Sequence, residues 1–598
     1  MLLAVVAAPS VPRKLPMVHR WILALLAAFP SAAAAAPASP APPPLFTDEA
    51  AAAGLDFVHF NGMSGELYFP EMTGQGGALL DYDQDGDLDV YLVQGHMLGP
   101  GKELAEATFA PRHPVPLSDR LYRNDLAVTA DGARVLRFTD VTEESGIARL
   151  ALGYGMGVAV ADVDNDGWPD LYLASFGSNQ LLRNRGDGTF EDVTATTGTG
   201  DTRWSIAASF FDYDEDGWLD LYVVNYVDFS FAVHKECSTP SGTRDYCGPL
   251  AYEPVPDRLF RNRGPGPDGV TFEDVSARAG IAAEVGSGLG VVTADFDGDG
   301  RTDVYVANDG RPNFLWLNRG DGTFSDAALL AGTAVNRAGQ PEASMGVDAA
   351  DADGDGDEDL FMAHLTGETN TFYRNQGGGL FVDDTVRTGL GPPSLPPTGF
   401  GTGFFDYDND GWLDLFVANG AVKTIEALAR ERDPNPLHQK NLLFQGAGGG
   451  RYQDVSARAG AVFELSEVSR GAAFGDVDGD GDPDILVTNN AGPARLLVNR
   501  VGQDRSWIGL RLLGRAGWDA LGARAAVSLP GRPPLWRRVK TDGSYASAHD
   551  PRLLFGLGEA AAPATIRVVW PDGATEEWTG LPADRYATLS REPGGGVP

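Results

Sequence analysis

Phe404-Phe405-Asp406-Tyr407-Asp408-Asn409-Asp410-Gly411-Trp412-Leu413-Asp414-Leu415-Phe416-Val417 is the stretch that decides the fold of this chain. Two apolar, strand-like runs flank a nine-residue loop with carboxylates at positions 1, 3, 5 and 9 and glycine at position 6. That pattern lets a short turn wrap a hard cation in oxygen ligands. The same loop recurs, with no ligand position missing, at Asp81, Asp83, Asp85 and Asp89; at Asp162, Asp164, Asp166 and Asp170; and at Asp212, Asp214, Asp216 and Asp220. It returns at Asp295, Asp297, Asp299 and Asp303; at Asp351, Asp353, Asp355 and Asp359; and at Asp476, Asp478, Asp480 and Asp484. One such nonamer is a weak signal. Seven of them, spaced 81, 50, 83, 56, 55 and 70 residues apart, constrain the architecture.

The formal charge of -37 excludes a nucleic-acid binder that works through a basic surface. Acidity of this size can mean disorder, but 43% hydrophobic and 10% aromatic content is ample for a core. Much of the charge sits in the seven loops, where divalent ions would relieve it. A chain of 598 residues with 76 Gly and 40 Pro is expected to hold more than one domain and many turns.

Residues 1–36 read as an export signal. Arg13, Lys14 and Arg20 precede the apolar run Trp21 to Phe29, and small residues from Ser31 to Ala36 offer a cleavage site. Met17 supplies an alternative start. The run is short for a membrane span, and no other segment approaches that length. Residues 37–44 form a Pro/Ala linker. The mature chain is therefore expected in the periplasm, on the cell surface or in the medium. In such an oxidising place Cys237 and Cys247, the only cysteines, are expected to form a disulfide; a reactive or metal-binding pair is the alternative.

Both flanks of each loop are β-like. Downstream comes a second unit of the form Leu-x-x-Asn-x-Gly-Asp-Gly-x-Phe-x-Asp, clean at Leu182 to Asp192 and varied elsewhere. Asp-Gly between alternating apolar residues signals a hairpin. Each repeat thus has four strands, with the acidic loop joining the first to the second. Five residues before each first Asp stands Gly76, Gly157, Ala207, Gly290, Gly346, Gly401 or Gly471, as suits a strand near a crowded axis. The seventh repeat lacks a closing Phe-x-Asp strand. Leu45-Phe46-Thr47-Asp48 mirrors Phe138-Thr139-Asp140 and can supply it. The expected fold is all-β: a seven-bladed β-propeller over residues 45–500, closed by its N-terminal strand, then a small β-sandwich-like domain. EF-hand and dockerin loops fit less well, because the twelfth position is Leu92, Leu173 or Val223, not a bidentate Glu.

These residues resemble the integrin-α-like FG-GAP (VCBS) propeller family. Further on, Trp507-Ile508-Gly509-Leu510, Ala520-Leu521-Gly522-Ala523, Phe555-Gly556-Leu557-Gly558 and Trp570-Pro571-Asp572-Gly573 are similar to the ASPIC/UnbV module. Propeller plus module is the layout of the cartilage acidic protein family and its bacterial relatives, and the resemblance runs from about residue 45 to 593, leaving 594–598 as a tail. Gly517-Trp518-Asp519 departs from the Asn-Arg pair more frequent in the family at that turn.

Oxygen-only ligands favour Ca²⁺ over zinc or copper, and Mg²⁺ prefers to keep its waters. Up to seven structural Ca²⁺ ions are expected, at micromolar to millimolar affinity as an order of magnitude for extracellular sites. Insertions follow the second strand at Gly95 to Asp119, Tyr226 to Asp257 and Gly420 to Lys440. All three fall on the face opposite the acidic loops and mark a surface for a protein or glycan partner. Glu71, His96, Trp204, Glu342, His364, Glu467 and Arg470 converge on the same mouth as candidate pocket residues. No Gly-x-Ser-x-Gly, His-Glu-x-x-His, Walker or Cys-x-x-Cys signature occurs, and no catalytic residue is assigned. The leading expectation is a non-catalytic binding or adhesion module. The alternative is a polysaccharide lyase or hydrolase with its pocket at the propeller mouth.

Overall fold

A computed structural model describes residues 43–239, 241–267, 269–515, 517–560 and 565–591. The expected signal at 1–36, most of the linker and the 594–598 tail lie outside these residues. In six of the acidic loops, from Asp162 to Asp476, the first Asp ties the turn. Asp162 Oδ1 accepts from Asp166 N–H at 3.1 Å and Oδ2 from Gly167 N–H at 2.8 Å, and Asp212, Asp406 and Asp476 repeat this. Gly167 meets that bond at φ 97° and Gly411 at φ 88°, a region other residues reach only under strain.

The ninth Asp makes the larger knot. Asp170 Oδ2 accepts from Val163 N–H inside the loop, and Oδ1 accepts from Asn184 N–H on the third strand, at 3.1 and 2.7 Å. One buried carboxylate thus binds a turn to a strand two places away. The Asn then reaches outward. Asn184 Nδ2 donates to the Tyr82 carbonyl of the preceding repeat at 2.8 Å, Asn262 to Val163 at 2.9 Å, Asn318 to Tyr213 at 2.7 Å and Asn375 to Phe296 at 3.0 Å. Asn499 reaches Tyr407 at 2.7 Å, and Asn124 of the first repeat reaches Val477 of the last at 2.9 Å. The sixth repeat has Gly446 instead, packed so closely that an added Cβ would lie 2.2 Å from the Leu413 carbonyl oxygen.

These knots organise seven four-stranded antiparallel sheets. The first six run from Gly77–Leu80 to Phe138–Asp140, Tyr154–Ala161 to Phe190–Asp192, Ser205–Phe211 to Gly269–Asp274, Gly288–Ala294 to Phe324–Asp326, Val347–Ala350 to Phe381–Asp383 and Gly399–Phe405 to Tyr452–Asp454. The seventh comprises Ser469–Gly475, Asp484–Asn489 and Arg495–Asn499, with Phe46–Asp48 as its fourth strand, Phe46 opposite Asn499. First strands of successive sheets touch in order, and Gly77–Leu80 touches Ser469–Gly475. Apolar side chains fill the space between neighbours: Leu80, Tyr91 and Leu121 of the first sheet pack on Val158, Leu171 and Leu173 of the second. Each fully buried side chain of this kind contributes about 1.5–3 kcal/mol.

After residue 500 a three-stranded sheet (Leu553–Gly558, Ser506–Leu513, Tyr586–Ser590) packs on a four-stranded one (Leu535–Arg538, Arg524–Ser528, Thr565–Val569, Thr575–Trp578). Leu510, Val527, Phe555, Val568 and Trp570 lie in the core between them. Between strands of this domain, residues 541–550 leave it and bond to the first strand of every one of the seven sheets. Leu79 N–H donates to Ala548 O, Val158 N–H to Ala546 O and Val347 N–H to Ser544 O, at 3.1, 3.2 and 3.0 Å. Asp542 Oδ2 accepts from Ser209 Oγ and Thr293 N–H at 2.7 and 2.9 Å. Thr402 N–H reaches Ser544 Oγ and Phe474 N–H reaches His549 Nδ1, at 3.1 and 3.2 Å. Inner strand edges would otherwise leave unpaired N–H groups around the axis. The small residues before the loops now have a reason: an added Cβ on Gly76 would meet Ala546 O at 1.6 Å, and one on Gly157, Gly290 or Gly346 would meet a backbone oxygen of the next repeat at 2.2, 2.4 or 2.1 Å.

The Asn contact predicts that Asn318→Ala, which strands the Tyr213 carbonyl, lowers stability by about 1–3 kcal/mol. Urea denaturation of the two chains checks this; an unchanged midpoint would show that the inter-sheet amide carries no load.

Candidate metal loops and insertion face

In the first, fourth and fifth loops, oxygens of positions 1, 3 and 5 lie within 4.8 Å of one another: Asp81, Asp83 and Asp85; Asp295, Asp297 and Asp299; Asp351, Asp353 and Asp355. In the second and third, position 9 replaces position 5, giving Asp162, Asp164 and Asp170, and Asp212, Asp214 and Asp220. These clusters could hold metal ions. Their chemistry fits a hard cation, for Oδ1 atoms of Asp81, Asp83, Asp164, Asp214 and Asp478 are buried without a hydrogen-bond partner. Burial chiefly, with the neighbouring loop carboxylates, raises Asp162 to about 7 and Asp476 to about 6, the opposite of what a bound divalent ion imposes. The ninth Asp spends one lone pair of each oxygen on its backbone bonds, which leaves the others free to ligate.

Arginines on the third strands supply counter-charge. Arg183 meets Asp164 at 2.5 Å and Asp166 at 2.9 Å, Arg261 meets Asp214 at 2.6 Å and Asp216 at 3.0 Å, and Arg374 pairs with Asp353. The equivalent residues of the sixth and seventh sheets are Gln445 and Val498.

On the opposite face the three insertions knit together. The disulfide between Cys237 and Cys247 closes a short ribbon in the second. From that ribbon Tyr246 OH donates to Glu71 Oε2 at 3.0 Å, Asp245 Oδ1 accepts from Thr424 Oγ1 of the third insertion at 3.0 Å, and Lys423 caps Tyr246 O. Thr108 N–H of the first insertion donates to Met63 O at 2.6 Å. Below them Phe69, Trp204, Tyr226, Phe229 and Tyr252 form one apolar cluster with Tyr545 of the axial segment. Leu104, Val115, Val233 and Leu250 of the insertions stay exposed.

The seven candidate mouth residues fall into separate groups. Arg470 is fully buried and spends all five donors on backbone carbonyls of Met72 (twice), Gly420, Ser469 and Ala421, with its guanidinium 4.0 Å over the Phe400 ring. Trp204 packs edge-on to Phe69 and Tyr226. Glu342 accepts from Asn336 Nδ2 at 2.9 Å and Thr371 Oγ1 at 3.1 Å, while His364, lowered to about 4 by burial, shares a hydrogen bond with Ser344 Oγ at 3.1 Å. Glu467 is gripped by Arg495 at 2.5 Å. His96 is half-buried beside the first insertion. Glu71 shares the cluster with Trp204 but not with Glu342 or Glu467, and its Oε1 has no partner. Sequence reading missed three players: the axial segment, Tyr246, and the outward-reaching Asn. The last was visible as a repeated letter in Leu-x-x-Asn; the others had no local signal.

Comparisons with known proteins now have a geometry to meet. Residues 162–223, 295–362 and 351–417 match the FG-GAP-like repeat, 470–508 the FG-GAP repeat, and 514–595 the ASPIC and UnbV domain. The chain belongs to the FG-GAP repeat proteins that carry a C-terminal ASPIC and UnbV domain. It is homologous to cartilage acidic protein 1: 24% identical to the Xenopus tropicalis protein over 84% of this chain and 71% of that one. Against the Homo sapiens protein it is 27% identical over 51% of this chain, and the match spans 44% of that relative's length. Among solved structures it is similar to BP39L lectin from Burkholderia pseudomallei, at 13% identity and a TM-score of 0.38 over 72% of this chain and 96% of that one. It is also similar to a Bacillus licheniformis rhamnogalacturonan lyase, at 10% identity and a TM-score of 0.28 over 72% of this chain and 90% of that one. Overlaps this loose say nothing about ligands. No helix among the described residues is long and apolar enough to cross a membrane.

Burial raises Glu71 from 4.5 to about 8, against the hydrogen bond from Tyr246. The native state then holds a proton that the unfolded chain has released, so this group's contribution to stability falls as pH rises from about 4.5 to about 8. Glu71→Gln is expected to raise the melting temperature relative to wild type at pH 8 and to lose that advantage near pH 4.5. A difference between the two chains that is flat across this range would refute a neutral Glu71.

Proposed function

We propose that this chain is an exported, calcium-stabilised binding module whose seven sheets are the blades of a closed propeller spanning residues 45–500, with residues 501–593 as the C-terminal module. Ca²⁺ is the cation, held by positions 1, 3, 5 and 9 of each loop. It would supply charge neutralisation and fix each turn, so that metal binding becomes folding energy. The unpartnered, buried Oδ1 atoms of the loops support this reading. So does the contact of the first sheet with the seventh, which repeats the contact between the other neighbours.

The binding role rests on one observation: the second and third insertions, from distant sheets, bond to each other, and the first and second leave Leu104, Val115, Val233 and Leu250 exposed. A scaffold does not need such a surface, whereas recognition of a protein or glycan does. Beneath it Glu71, Trp204 and Arg470 hold the surface in shape rather than lining an open pocket.

Two measurements test the proposal. Chelation with EDTA is expected to lower the melting temperature by many degrees, with recovery in Ca²⁺ and lesser recovery in Mg²⁺; indifference to EDTA would remove calcium from the account. Screening against glycan arrays and extracellular proteins should find a saturable ligand whose binding Leu250→Asp or Val115→Asp weakens without altering the melting temperature. Product formation from a polysaccharide would instead favour catalysis.

A further inference from the structure

We propose that the cations of the sixth and seventh loops are locked in place by the C-terminal domain, so that filling those two loops and docking that domain are one event. The other five loops exchange metal freely. This inference rests on the calcium reading above and adds a regulation of those sites.

The fifth-position carboxylates separate the two classes. Asp85, Asp166, Asp216, Asp299 and Asp355 are exposed, while Asp410 and Asp480 are partly covered. In the seventh loop the covering is deep. Asp478 is 6% exposed and Asp482 0%, and the Oδ1 atom of each is buried without a partner. With Asp476, Asp480 and Asp484 this loop concentrates five carboxylates. Nearby cations are few: Arg552, paired to Asp550 at 2.9 Å, and Arg134, which donates to the Asp478 carbonyl at 2.7 Å. Unpaired carboxylates kept out of water are strongly unfavourable, and a divalent ion is the group that satisfies them.

What covers these loops is the C-terminal domain and the short segment leading into it. Trp507 lies across Gly481, where an added Cβ would sit 1.7 Å from the indole. Tyr586 OH donates to Asp476 Oδ2, and Gln503 N–H to Asp482 Oδ2, both at 3.0 Å. Over the sixth loop, Gly558 N–H donates to Asn409 O at 3.0 Å, Arg505 meets Asp408 at 2.7 Å, and Arg532 donates to Asp410 O at 2.8 Å. Asn409 Nδ2 joins the two loops by reaching Gly481 O and Gly502 O, each at 3.0 Å.

Counter-charge adds to this without following the same division, since the fourth loop has Leu317 where these arginines stand and Arg123 of the first pairs with Asp125 at 2.8 Å. In the second, third and fifth, Arg183, Arg261 and Arg374 rise from the propeller's own third strands and can hold the carboxylates after a metal leaves. The sixth and seventh have Gln445 and Val498 at that position and take their cationic groups largely from the domain above. Losing the ion from these loops therefore leaves buried like charges beneath Trp507 and Tyr586, and lifting the domain is the way to rehydrate them.

The full chain, loaded with ⁴⁵Ca²⁺, is mixed with excess EGTA; retained ion is counted over time while small-angle scattering follows its dimensions. Five ions should leave in a fast phase with no change in size. Two should leave in a slow phase that coincides with an increase in radius of gyration. Tyr586→Phe, which removes a single hydroxyl, should speed only the slow phase, by about tenfold for a lost hydrogen bond to a charged group. Arg532→Gln should act in the same direction and serves where the first variant folds poorly. Release of all ions in one phase, or a slow phase that both variants leave unchanged, would overturn the locking while leaving calcium binding intact. A chain that takes up no ⁴⁵Ca²⁺ would overturn the calcium reading itself.

Discussion

The ninth carboxylate of each acidic loop is the interaction on which this architecture stands. It is buried and accepts two backbone N–H bonds, one from its own turn and one from the third strand of its sheet, as at Asp170. Three strands are thereby pinned through one side chain, and in six of the repeats the Asn whose N–H it holds is left oriented toward the neighbouring sheet. From this follow the contact of each sheet with the next and the tolerance for insertions of very different length. Cations fit the same logic. They would bind oxygens that the hydrogen bonds have already placed, so the loop is arranged before any ion arrives and strengthened afterwards.

Filling the axis is a different problem, and the chain solves it with its own distant segment. Residues 541–550 hydrogen-bond to all seven inner strands, and Tyr545 rises from that segment to pack on Phe400 at 4.8 Å under the insertion face. With the insertions above and this segment below, the polar side chains near the axis are structural. Arg470 is the clearest case, because a guanidinium with every donor on a carbonyl has nothing left for a ligand. On the proposed binding role, recognition would fall to the outer surface of the insertions.

How much of this was legible in the sequence depends on range. The acidic loops, their flanking strands and the four-strand repeat could be read because every cue lies within a few residues: Asp406 to Asp414, Gly411, and the apolar runs on each side. Phe46–Asp48 could be matched to the incomplete seventh repeat by its likeness to Phe138–Asp140, and it pairs there with Arg495–Asn499. Small residues at Gly76 and Gly346 gave correct warning of crowding but not of its source, which is Ala546 of the distant axial segment at the first and Phe400 of the next repeat at the second. Glu71, Glu342 and Glu467 looked alike as acidic residues on one approach to the axis. Tertiary packing sends one to a tyrosine, one to an asparagine and a threonine, and one to an arginine, and no local pattern encodes that divergence.

The pairing of Phe46–Asp48 with Arg495–Asn499 also has a consequence for biogenesis. A chain made from its N-terminus forward presents this strand first and its partner almost last, so an open β-edge must wait while six sheets are laid down between. The axial segment comes later still. Stepwise maturation along the chain is thus ruled out for the finished assembly: early sheets can form as they emerge, but the last joint is made only after release of nearly the whole polypeptide. Protection of that waiting edge from pairing with other chains is a demand on the cell that no mature surface reveals.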